Sequence, residues 1–380
     1  MVDASYPFLS VRDAVESLPV DKVKFSDFTP NPLYEQVCKG IELLKDTGCD
    51  TILAVGGGSA IDVAKCIKLA ALCSEGSAAL IPPLVSRTLS IDGNRIPLIA
   101  LPTTAGTGSE STHNAVVYYQ GAKQTVTCDG ILPDYAVLEP SVLKTLPLYQ
   151  KKCTMMDALC QGIESWWSVN TTARSKTYSR KAVELIMSNW RKYIFENDDQ
   201  AAASIMLAAN YGGKAINIAQ TTAAHAMSYK ITSMYGLPHG HAVAVCLPEI
   251  WEYMLSPGAV CLDGRGEEYL RETFRDIAHS LGALAPEDAE DLPRTGSHED
   301  TPKLPRTGSP EDAPQLLRAM MREMSLGNPV SESIEADLDI LTASVNPVRL
   351  KNNPVRLSAP QIKALYSRIV FDAAPGPDTA

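Results

Sequence analysis

The spacing of apolar side chains divides the chain in two. Residues 33–48 carry them at intervals of three and four and stop at Gly48, which predicts a helix with a glycine C-cap. Residues 50–55 are a short aliphatic run, which predicts a buried parallel strand. Gly56, Gly57, Gly58 and Ser59 follow directly, and helical spacing resumes over residues 60–73. Residues 97–101 repeat the strand pattern and run into Pro102, Thr103 and Thr104. Residues 115–140 alternate and turn, which predicts a hairpin and a last strand. From Leu148 the spacing is helical almost throughout. The pattern predicts an α/β domain over residues 1–147 and an all-α domain over residues 148–380.

Composition narrows the function classes. The 380 residues are 45% hydrophobic and 21% charged with a formal net charge of −10, which is no surface for nucleic acid. No run of 18 apolar residues exists and the N-terminus has no basic region before an apolar stretch, so neither a membrane span nor a secretory leader is expected. Nine cysteines fall in apolar stretches without paired spacing, and read as buried thiols of a cytoplasmic protein. The segment before Asn31 is poorly patterned, and the first strand of the α/β domain is expected to be missing. Over about residues 284–314 the composition shifts to Pro, Gly, Ser, Asp and Glu, and LPRTGSHEDTPK is followed by LPRTGSPEDAPQ; this reads as a loop insertion. The final DAAPGPDTA reads as disordered.

The candidate chemistry sits in three places. A strand, a glycine turn and a helix in succession turn backbone amides and a helix N-terminus toward a phosphate, which makes Gly57, Gly58 and Ser59 a candidate pyrophosphate loop. Thr103 and Thr104 end a second strand, where ligands of open parallel sheets collect. Three of the six histidines lie within residues 215–248. A single helix is predicted over residues 215–235, ended by Gly236, Leu237 and Pro238, with His225 inside it and Tyr229 one turn later on the same face. His239 begins the next helix, and the turn between could bring the two imidazoles to one ion. Taken alone they also read as hydrogen-bonded helix ends, because two ligands do not make a site. Asp157, on an apolar helical stretch with Gln161 four residues on, could supply the acidic partner.

GGGSAIDVAK, LPTTAGTGSE, DALCQGIES and HAMSYKITSMYGLPHGHA stand in the order and at the separations of the iron-containing alcohol dehydrogenase family, which this chain resembles from about residue 30 to 254 and again near its end. The resemblance implies a dinucleotide-binding α/β domain, a helical metal-binding domain, and NAD(P)H and a divalent metal, Fe²⁺ first and Zn²⁺ second, in a cleft between them. Matched by motif, Asp157, Gln161, His225 and His239 take the metal-ligand positions. Gly57, Gly58 and Ser59 take the pyrophosphate loop, Thr103 and Thr104 the second cofactor loop, and Lys123 a cofactor-side lysine. Many members have histidine at the positions of Gln161 and Tyr229; the latter is associated with proton relay, where a phenol with a pKa of about 10 is a poorer base. QTTAAHAMSYKITSMYGLPHGHA looks like the branch that reduces phosphonoacetaldehyde to 2-hydroxyethylphosphonate in phosphonate biosynthesis, and Lys214 and Lys230 are the nearest cations for such a dianion. The implied activity is reduction of a small aldehyde by a homodimer. A generic short-chain alcohol dehydrogenase, a lyase similar to dehydroquinate synthase and a non-catalytic relative remain alternatives.

Overall fold

A computed structural model describes residues 1–73, 96–282 and 309–372. Along the chain come α1 (Arg12–Glu16), α2 (Tyr34–Thr47), β1 (Ile52–Gly56), α3 (Gly58–Leu72), β2 (Leu98–Pro102), β3 (Asn114–Tyr119), β4 (Ala122–Thr127) and β5 (Tyr135–Ala136). Helices then dominate: α4 (Leu148–Trp167), α5 (Ala173–Arg191), α6 (Asp199–Ala219), α7 (Ala223–Tyr235), α8 (His239–Leu255), α9 (Glu267–Ser280), α10 (Ala313–Glu323), α11 (Ile334–Ser344) and α12 (Ala359–Ile369). A two-residue strand pair, β6 (Val330–Ser331) and β7 (Phe371–Asp372), ties the end of the described chain. The α/β first half and helical second half are those the periodicity predicts.

The chain forms two compact units, Met1–Lys151 with Asn189–Asn217, and Lys152–Ser188 with Ile218–Ala380. The predicted boundary at residue 147 cuts the chain once, whereas Asn189–Asn217 packs with the first unit. Helical periodicity identifies a buried face but not what covers it.

In the first unit β1, β2 and β5 form a parallel sheet in that order, with Ile52 opposite Leu98 and Gly56 opposite Pro102. β3 and β4 make an antiparallel hairpin whose turn residues, Gln120 and Gly121, both have positive φ. The segment expected to leave a strand missing does meet the sheet: Val2 bridges Val55 in parallel, and the Val55 amide donates to the Met1 carbonyl at 2.9 Å. A pairing of two residues carries no period to read.

α3 is buried along nearly its whole length, two lysines included. Lys65 Nζ donates to Ser109 Oγ, Thr112 Oγ1 and the Asn114 carbonyl at 2.8–3.0 Å. Burial lowers its pKa to about 8. Asp62, one turn earlier, accepts from Ser109 Oγ and the Val116 amide. Burial raises its pKa, against the pull of Lys65. These charges tie the helix after the glycine turn to the chain after β2.

In the second unit Trp167, Trp251 and Phe274 pack together, the two indoles edge to face with ring centroids 5.2 Å apart. Arg318 of α10 and Arg368 of α12 both pair with Glu249 and Glu252 of α8. Among the described residues no helix is long and apolar enough to cross a membrane. The nine cysteines are free thiols, five of them buried. Residues 283–308 and 373–380, which hold most of the repeat and the expected disordered tail, lie outside the described residues. The stretch from Ser309 is no longer loop: Ser309 and Asp312 bond each other reciprocally, Pro310–Asp312 forms a short 3-10 turn, and Ala313 starts α10. Its Ser, Pro and Asp are capping residues that composition alone mistakes for linker.

Trp251 fills the centre of the aromatic cluster with no exposure. Trp251→Ala is expected to cost about 3–5 kcal/mol of stability, read as a lower urea midpoint; a loss under about 1 kcal/mol would mean the cluster is not a core.

Candidate metal centre and glycine loop

The predicted helix over residues 215–235 is broken. α6 ends at Ala219, Gln220 takes a positive φ of 61°, and α7 starts at Ala223 behind Thr222. The break is fixed from α4. Glu164, fully buried, accepts through Oε1 from the amides of Thr222 (3.0 Å), Ala224 (3.0 Å) and His225 (3.3 Å), and from the Thr222 hydroxyl at 2.8 Å. It supplies from a distance the acceptor that the first amides of a helix require. Single-residue periodicity cannot see such a cap.

α7 ends at Gly236 in the left-handed conformation, and α8 starts at His239 as predicted. The next residue decides how close α8 comes to α4. A Cβ on Gly240 would overlap the Cys153 carbonyl and lie 2.8 Å from Asp157 Cβ, so only glycine lets the two backbones touch.

Asp157, His225 and His239 converge, with one ligand atom from each lying within 4.8 Å of the others. His225 Nε2 is 3.3 Å and His239 Nε2 3.9 Å from Asp157 Oδ1. The two imidazoles meet edge to face at 5.3 Å, and Tyr229 stacks on His239 at 5.7 Å and 7°. Gln161 is buried beside them and hydrogen-bonds Asp157. His225 Nε2 and Asp157 Oδ1 are buried and make no hydrogen bond of acceptable geometry. Two buried, facing acceptors of this kind fit a divalent cation, and an imidazole–carboxylate donor set suits iron or zinc.

The electrostatics agree. Burial alone would lower the pKa of His225, but the Glu164 charge, the Nδ1 hydrogen bond to Glu164 and the Asp157 carboxylate 3.3 Å away raise it to about 9. For Asp157 burial would raise the pKa, yet the His225 ring 3.3 Å away, the His239 charge and the Gln161 hydrogen bond hold it below the usual carboxylate value.

The glycine loop is built in the first unit. Thr103 donates its amide to the Gly56 carbonyl at 3.0 Å, so the two predicted cofactor loops lie side by side. A Cβ on Gly58 would come within 2.9 Å of the Thr107 methyl, which explains glycine at the helix start. The Ser59 hydroxyl accepts from the Asn31 amide at 3.3 Å. Thr104 packs beside Gly57. Lys123 is exposed on β4 opposite Tyr118. Asp3, passed over in the sequence, follows the Met1–Val2 pairing, and its Oδ2 accepts from the Gly57 amide at 2.8 Å. The two lysines considered for an anionic substrate are not brought together by anything within either unit. Lys214 lies in the first, 5.5 Å from the Tyr211 ring. Lys230 is half-buried on α7, about 100° round the helix from Tyr229.

Residues 5–140 match the profile of a family described as iron-containing alcohol dehydrogenase, and residues 152–299 match the C-terminal profile of the same family. The chain is 31% identical over 264 residues to a probable alcohol dehydrogenase, EutG, of Escherichia coli, covering 69% of this chain and 62% of that protein. It is 33% identical over 252 residues to the phosphonoacetaldehyde reductase of Streptomyces viridochromogenes, covering 63% and 62%. The matches thus span less than two thirds of these relatives' own lengths. In fold it resembles a sulfoacetaldehyde reductase from Bifidobacterium kashiwanohense solved with NAD⁺, with a TM-score of 0.78 at 23% identity over 97% of this chain and 90% of that one. An iron-containing alcohol dehydrogenase from Thermococcus thioreducens matches with a TM-score of 0.77 at 22% identity over 96% and 90%.

The sign of the His225 shift gives a test on metal-free protein. A folded-state pKa of about 9 against an ordinary 6.5 stabilises the fold fully below pH 6.5, and that share is lost as pH rises through about 9. In the presence of a chelator, the urea midpoint of the wild type is expected to exceed that of His225→Gln at pH 6, with the gap narrowing by pH 9.5. A gap independent of pH would contradict the assignment.

Proposed function

The chain belongs to the iron-containing alcohol dehydrogenase family, and from that membership and the ligand geometry we propose that it reduces a small aldehyde to a primary alcohol with a nicotinamide cofactor and a divalent metal. The observation that carries this reading is the meeting of Asp157, His225 and His239, two of whose buried acceptor atoms face each other at 3.3 Å. When bound, the cation supplies Lewis acidity toward a carbonyl oxygen and the nicotinamide supplies hydride.

The chain's own residues do the rest. Asp157 and the two histidines hold the cation, with Gln161 beside them as a weaker amide donor. Tyr229, stacked on His239, is proposed to return a proton from its hydroxyl to the alkoxide. Gly57, Gly58 and Ser59 at the N-terminus of α3 are proposed to receive the pyrophosphate, with Thr103, Thr104 and Lys123 along the cofactor. Phosphonoacetaldehyde is the substrate we favour, supported by the likeness to a reductase of that aldehyde and by the motif wording of α7. Lys214 and Lys230 are the cations proposed for its phosphonate.

Purified full-length protein with Fe²⁺ or Zn²⁺ is expected to oxidise NADH on adding short aldehydes, phosphonoacetaldehyde the best of them. His225→Ala should lose bound metal and activity together. No turnover with any aldehyde, or normal turnover by His225→Ala, would refute the proposal.

Asp3 bears on the choice of cofactor. A carboxylate beside the glycine loop at the end of a neighbouring strand accepts from ribose hydroxyls and repels a 2′-phosphate, so NADH is expected over NADPH. Asp3→Ser should raise the ratio of kcat/KM for NADPH over NADH roughly tenfold or more, about 1.4 kcal/mol. An unchanged ratio would remove Asp3 from this role.

A further inference from the structure

Glu164 stands seven residues after Asp157 and three after Gln161, on the same face of α4. A carboxylate with no exposure requires donors, and this one has five. Four reach Oε1, from the start of α7. The fifth is the His225 ring, whose Nδ1 bonds Oε2. A carboxylate can only accept, so Nδ1 carries the hydrogen of the neutral imidazole and Nε2 carries the lone pair. Nε2 is the atom that faces Asp157 Oδ1 at 3.3 Å.

We propose that Glu164 is the positioning residue of the metal centre: one oxygen fixes where α7 begins, and the other fixes the tautomer and orientation in which His225 offers Nε2 to the cation. The proposal rests on the metal-binding reading above. Both jobs fall to one side chain because His225 lies in the first turn of α7, within reach of the carboxylate that caps it. The Thr222 hydroxyl, which donates to Oε1, also accepts from Trp167 Nε1 at 2.9 Å, so α4 holds the cap at two points.

The two jobs can be separated. In Glu164→Gln the amide oxygen can still take the α7 amides, but its NH₂ must then face Nδ1. Nδ1 becomes an acceptor, and Nε2 points a hydrogen into the ligand set. Zn²⁺ affinity of the full chain, from competition with a chromophoric chelator, is expected to fall about 10–100-fold, with the visible bands of the Co²⁺-loaded form lost or shifted. Thr222→Val removes one donor to Oε1 and leaves Nδ1 alone, so it should lower the thermal midpoint while keeping Zn²⁺ affinity within about twofold. Wild-type Zn²⁺ affinity in Glu164→Gln would overturn the proposal. So would an equal loss in Thr222→Val, because the cap alone would then position the ligand. Should Glu164→Gln fail to fold, proton–nitrogen correlation NMR of the Zn²⁺-loaded wild type decides: a protonated Nδ1 and ligated Nε2 on His225 support the proposal, and ligation through Nδ1 overturns it. A wild type that binds no Zn²⁺ would defeat the metal reading and this proposal together, whereas a wild type that binds and a Gln variant that binds equally defeats only this one.

Discussion

Two buried acceptors held 3.3 Å apart, Asp157 Oδ1 and His225 Nε2, are the constraint around which the second unit is built. Such a pair repels unless a proton or a metal ion lies between the atoms. The cost has to be met by structure that leaves the atoms no easier place to go. Glu164 prevents His225 from turning away, and the backbone contact at Gly240 prevents α8 from withdrawing His239. The salt-bridged network from Glu249 and Glu252 to Arg318 and Arg368 then ties the same helix, α8, to α10 and α12. Ligand placement and helix packing are therefore one problem with one solution.

The first unit solves a related problem with opposite signs. A glycine turn whose backbone is left open must be shaped without crowding that backbone. Here the shaping is done from behind: Lys65 and Asp62 reach from α3 under the chain that follows β2 and bond Ser109, Thr112, Asn114 and Val116. Buried charges are expensive, but each of these has partners enough to offset the loss of water. Glycine is needed where the two segments touch, at Gly58 against Thr107, and small side chains serve elsewhere.

What could be read from the chain, and what could not, divides by range. The strand, glycine turn and helix around Gly57, the hairpin after residue 114, the glycine stops at Gly48 and Gly236, and the start of α8 at His239 are local patterns. The approach of His239 to His225 was legible in helical spacing plus one sharp turn, whereas Asp157, on a helix far off in sequence, was set beside them only by the motif resemblance. Three features were hidden because their causes lie far off in sequence. The break at Gln220 depends on Glu164, more than fifty residues away. The pairing of Met1 and Val2 with β1 exists only through its partner. Asp3 gains meaning only beside Gly57. A carboxylate seven residues after a suspected ligand, on the same helical face, was the available sign of Glu164.

The two departures from the family's usual histidines can be read in the same terms. Gln161 lies one turn from Asp157 and hydrogen-bonds it, so the amide steadies the carboxylate whether or not its oxygen also meets the metal. An imidazole there would add a nitrogen donor; the amide leaves a set richer in oxygen, which shifts preference away from the softest cations. Tyr229 lays an aromatic ring flat against His239, 7° from parallel, and offers a hydroxyl where an imidazole would offer a ring nitrogen. Both side chains thus pack against the converging Asp157, His225 and His239 and differ from histidine in the atoms they offer there. The cluster is held from behind by the Glu164 carboxylate against the start of α7 and by the close backbone approach at Gly240.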